Sequence, residues 1–131
     1  MVKRKAQSSI EFVIILIAVL FFFLSMLFVL QQNLAQKNFE KRDLIIKDLA
    51  SNVRDEINLA STSSDGYSRN FKLPQDILGL DYSIHIINDL VYLNTSDGRH
   101  AVSFPIVNIS GSVIKGVNRI SKNNGQIYMN S

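Results

Sequence analysis

Polar and apolar positions change their rhythm twice along this chain. Residues 12–30 carry no charged side chain, and Ser25 is their only polar one. A helical run of about 19 residues, at about 1.5 Å rise each, spans roughly 28 Å, which matches the hydrocarbon thickness of a bilayer. Beyond Leu30 the segment Gln31-Gln32-Asn33-Leu34-Ala35-Gln36 turns polar but holds neither Pro nor Gly, so nothing stops the helix there. Ile46, Leu49, Val53, Ile57 and Ala60 then recur at spacings of three and four, the mark of one apolar helix face. Lys41, Asp48, Asp55 and Glu56 lie off that stripe, and Asp43 stands four residues before Lys47, a favourable acid-to-base pairing. The cluster Ser61-Thr62-Ser63-Ser64-Asp65-Gly66 breaks the pattern. The spacing predicts a single helix over residues 7–62, on the order of 80 Å long. A coiled coil would show the same stripe. A stripe that begins only after the membrane-length run suits a helix covered by a small head.

From there the period falls to two. After a linker at 63–75, Tyr82, Ile84 and Ile86 alternate with Ser83, His85 and Ile87. Asn88-Asp89 turns the chain into Leu90-Val91-Tyr92-Leu93, and Asp97-Gly98 is a stronger hairpin signal leading to Ala101-Val102-Ser103-Phe104. Pro105 ends that strand or puts it at an edge. Asn118-Arg119-Ile120-Ser121 and Gln126-Ile127-Tyr128-Met129 flank Asn123-Asn124-Gly125, a third hairpin at 118–129. The expected fold is α+β: a long N-terminal helix packed by an antiparallel β-meander of four or five strands at 76–131, one sheet face lying on the helix stripe.

Composition sharpens this picture. The chain has no cysteine, so a small exported head would have no disulfide to support it. The formal charge is +3, yet Lys3, Arg4 and Lys5 account for all of it, and their removal leaves a neutral chain. The other cations alternate with Asp and Glu, so no basic stripe awaits a phosphate backbone and no nucleic-acid partner is expected. Positive residues flanking a membrane helix stay cytoplasmic. That rule puts the N-terminus inside and everything after Leu30 outside.

The ten residues before the apolar run are more specific than an anchor needs. A secretory signal has a shorter apolar region, about 7–15 residues, with small residues after it. Here Ala6 precedes the run, and Val29-Leu30-Gln31 offers no cleavage signal behind it. Lys3-Arg4-Lys5-Ala6, then Gln7-Ser8-Ser9-Ile10-Glu11-Phe12, then a long apolar helix resembles the class III (prepilin-type) signal sequence of archaeal type IV pilins. Ala6 stands where Gly is commoner, and the match covers about the first quarter of the chain. The resemblance implies that a membrane-embedded prepilin peptidase cuts between Ala6 and Gln7, removing a leader of residues 1–6. Glu11 becomes the fifth residue of the mature chain. The same resemblance implies transfer of the helix, with 12–30 as its transmembrane part, from lipid into a filament core. Its partners there would be identical or related pilin subunits and the pilus assembly platform of the membrane, and Glu11 would set axial register.

Little else in the chain suggests chemistry. His85 and His100 have no cysteine or paired carboxylate at ligand spacing and are expected as half-exposed strand residues. There is no Gly-x-Ser-x-Gly elbow and no phosphate-binding glycine loop. No enzyme, metal or cofactor is expected. Two Asn-x-Ser/Thr sequons, at Asn94 and Asn108, fall in the expected external half and are possible glycosylation sites. Asn94 is the better placed of the two, just ahead of the Asp97-Gly98 turn. The expected function is therefore that of a structural subunit of an archaeal type IV pilus-like surface filament. The alternatives are a minor pilin or anchored adhesion module, and a plain signal-anchored protein that forms no filament.

Overall fold

The computed structural model describes residues 2–131, with side chains from Arg4 onward. The side chain of Lys3, in the basic cluster, lies outside the described residues. One helix, α1 (Val2–Thr62), is followed by seven strands: β1 (Ser68–Leu73), β2 (Tyr82–Ile87), β3 (Leu90–Thr95), β4 (Ala101–Pro105), β5 (Ser110–Gly111), β6 (Gly116–Asn123) and β7 (Gln126–Met129). The architecture is α+β. The chain divides into two compact units, Met1–Phe39 and Glu40–Ser131.

The first unit is helix alone, and every side chain described in it is exposed. The second holds one core, to which α1 contributes Ile46, Leu49, Ala50, Val53, Ile57 and Ala60. These are the stripe residues plus Ala50, whose small side chain lets the packed face come close. Glu56 and Arg69 pair at 3.6 Å beside this face, and the Arg54 guanidinium lies 4.8 Å from the centre of the Phe104 ring.

The head is richer than a single meander. β2, β3 and β4 form a three-stranded antiparallel sheet, whereas β1, β6, β7 and β5 form a second sheet in that order. In the second sheet the short β5 runs parallel to β7. The expected linker at 63–75 holds β1, which pairs with β6 from Ser68↔Ser121 to Leu73↔Gly116. Its sequence, SRNFKL, puts only Phe71 and Leu73 on the inner side, too short an alternation to announce a strand. Partnership with β6 makes it one.

The hairpins follow their turn residues. Asn88 and Asp89 both take positive φ, 49° and 60°, between the paired Ile87 and Leu90. Asn124 and Gly125 do the same between Asn123 and Gln126. Two positive-φ residues give the twist that suits a two-residue hairpin. β4 ends at Pro105 and lies at an edge of its sheet. At Gly111 the reason for glycine is steric: φ is +102°, and a Cβ there would collide with the Met129 carbonyl oxygen. The parallel β5–β7 contact depends on its absence.

Candidate functional site

From Phe12 to Leu30 the helix presents apolar side chains on all sides, with none covered. Phe21 and Phe22 are more than seven-tenths exposed. Burying a side chain of this size is worth about 1.5–3 kcal/mol, so this surface requires an apolar surrounding. The helix is long and apolar enough to cross a membrane by length and composition. Ser25, its one polar side chain, donates to the Phe21 carbonyl at 2.8 Å. That bond closes the hydroxyl on its own helix, so no group need face hydrocarbon unpaired.

At the head of this run, Arg4, Lys5, Ala6, Gln7 and Glu11 are all helical and exposed. Gln7 and Glu11 stand four apart, on one face. The first turn contains no acidic residue and is instead basic, which opposes the positive end of the helix dipole. The basic cluster therefore disfavours the helical turn it occupies, and the Ala6–Gln7 peptide lies next to that weak turn.

The histidines separate. His85 is exposed on β2, directly opposite Tyr92. His100 is not the half-exposed strand residue expected; it is 2% exposed. It follows the β3–β4 turn, and its Nδ1 lies 3.5 Å from Asp43 on α1. Asp43 also accepts from Lys47 at 2.9 Å. The Lys47 bond, with His100 adding to it, holds the Asp43 carboxyl below its usual range, against the opposing effect of burial. The turn before His100 is tied by Thr95, whose hydroxyl donates to Asp97 at 2.6 Å and accepts from the His100 N–H at 3.2 Å. Asp97 accepts as well from the Arg99 N–H, and these donors, the Thr95 hydroxyl first, hold its carboxyl below the usual range.

The two sequons differ in setting. Asn94 is half-buried within β3, the central strand of its sheet, and Thr95 of the same sequon is buried. Asn108 is exposed in the connection between β4 and β5 and donates to the Asp89 carboxylate at 3.1 Å.

Two polar fixtures escape the sequence pattern. Lys122 on β6 donates at 2.8 Å to the carbonyls of both Ser61 and Ser63, capping the C-terminal end of α1. Asn118, fully buried on β6, donates to the Ile114 and Gly116 carbonyls and accepts from the Ile114 N–H and the Asn130 amide. Either residue taken alone looks like an ordinary polar strand position. Among the described residues no group of three or more His, Cys, Asp or Glu is placed to hold a metal ion. No protein-family model, curated protein or solved structure matches the chain.

Proposed function

We propose that this chain is a type IV pilin-like structural subunit, made as a precursor and assembled through its N-terminal helix into a surface filament. The observation that carries the reading is one register of features on α1: a basic cluster, the Ala6–Gln7 peptide, Glu11, and then an apolar surface with no cover of its own. Membrane lipid surrounds that surface first, and helices of neighbouring subunits replace the lipid on assembly. Without a hydrophobic gain between helices in lipid, packing of Phe, Leu, Ile and Val drives association, and Ala18 and Ser25 allow close approach.

Cleavage between Ala6 and Gln7 by a prepilin peptidase has a physical logic beyond the resemblance. It removes Arg4 and Lys5 from the wrong end of the helix dipole and leaves Glu11 near the new N-terminus, where a carboxylate is favoured. In a filament core, an ionised Glu11 without a partner would cost several kcal/mol. The amine freed at Gln7 of a neighbour supplies the partner, and only one stagger of subunits joins the two.

Shearing surface filaments from the cells that make the chain, then identifying their subunits by mass spectrometry, tests the assembly reading. The chain recovered in the sheared fraction supports it. The chain confined to membranes returns it to an anchored module.

A further inference from the structure

We infer that Asn108, and not Asn94, is a site of N-glycosylation on the folded head. This rests on the extracytoplasmic placement of the head proposed above. The sequence offers two acceptors, and their surroundings separate them. At Asn94 the backbone is held on both sides, in register with Ser83 of β2 and Ala101 of β4. Its side chain is half-buried, and the hydroxyl of Thr95 beside it is committed to the turn. The third residue of that sequon, Ser96, sits in the same turn and donates its backbone N–H to the Asp81 carbonyl. A transferase that must grip an extended acceptor segment would have to strip a central strand from its sheet.

Asn108 demands less, because only Ser110 of its sequon is paired, opposite Tyr128 in the two-residue edge strand β5. It is exposed, it precedes the two-residue β5, and neither Asn108 nor Ile109 belongs to a strand. The third sequon residue, Ser110, accepts a bond from the Gln126 amide at its hydroxyl, an exposed contact that water can replace. The chemistry also spares the native contact. A lipid-carried glycosyl phosphate is the donor: its C1–O bond to phosphate breaks, the phosphate leaves with the electron pair, and C1 bonds to Nδ2. Nδ2 gives up one proton to a base of the transferase. The product amide keeps one N–H, which is all that the bond to Asp89 requires.

The test is intact-mass and glycopeptide spectrometry on the full chain isolated from the cells that make it. Wild type is compared with Asn108→Gln, Asn94→Gln, Ser110→Ala and Ser110→Thr. The expected result is a glycan on the Asn108 peptide, lost in Asn108→Gln and Ser110→Ala but kept in Asn94→Gln and Ser110→Thr. The Ser110 pair leaves Asn108 and its Asp89 contact in place, so a loss confined to Ser110→Ala is not a folding defect. A bare Asn108, or a glycan on Asn94, overturns the inference. Labelling intact cells with a membrane-impermeant amine reagent, read on exposed Lys72 of the head, separates the two layers of the argument. A labelled head with bare Asn108 defeats this inference alone, whereas an unlabelled head defeats the outside placement and this inference together.

Discussion

Glu11 is the residue on which assembly and anchoring make different demands. In a membrane its carboxylate sits within reach of the headgroups and needs no protein partner. In a filament core it needs one. Glu11→Ala is therefore expected to leave insertion and cleavage nearly intact while sharply lowering the share of cleaved subunit found in sheared filaments. Quantifying both fractions by immunoblot checks this, and normal filament yield would make Glu11 a bystander. Asp43 and Asp97 act instead on the head. Both have folded pKa values below the ordinary one near 3.9. Their contribution to stability is thus complete above about pH 4 and is lost as pH falls through the lower folded values. Melting temperatures of the detergent-solubilised chain should drop on acidification through this range, and Asp97→Asn should flatten part of the drop.

Among the elements, α1 was almost wholly legible because its signals are local: an apolar run, a stripe at helical spacing, and a Ser-rich stop that ends on Gly66. Its end at Thr62 falls where those residues place it. What holds that end was not legible. The last turn contains no basic residue, and the cation that caps it arrives from β6, sixty residues on. Lys122→Met should cost about 1–2 kcal/mol, from two charge-assisted bonds and the dipole interaction. Urea unfolding of the solubilised chain measures it. The strands divide the same way. β2, β3, β6 and β7 announce themselves by alternation and by turn residues, whereas β1 and β5 are strands only because a distant partner pairs with them. Asn94 shows the same limit: proximity to a turn in sequence did not reveal that it lies in the central strand of a sheet.

At the scale of the molecule, one helix serves two surroundings. Its second half supplies a face of the head core, and its first half offers an apolar surface that the described chain leaves uncovered. With no cysteine to staple it, the head depends on that core. Leu49→Ala or Ile57→Ala should cost about 2–5 kcal/mol, a large share of a small domain's stability, and should make residues 63–131 rapidly cleaved by protease. Unchanged digestion of both variants would mean that the stripe packs elsewhere. On the proposed reading, the first half leaves lipid for a filament core only once the leader is removed. The most direct measurement is mass spectrometry of the N-terminal peptide of the chain taken from its own membranes. The account predicts a peptide beginning at Gln7. An intact amine leaves the partner of Glu11 in place, whereas loss of ammonia by cyclisation removes that amine and leaves Glu11 to protonate or to accept hydrogen bonds from Ser8 or Ser9. A peptide that still carries Lys3-Arg4-Lys5-Ala6 would contradict the account and leave a plain membrane anchor.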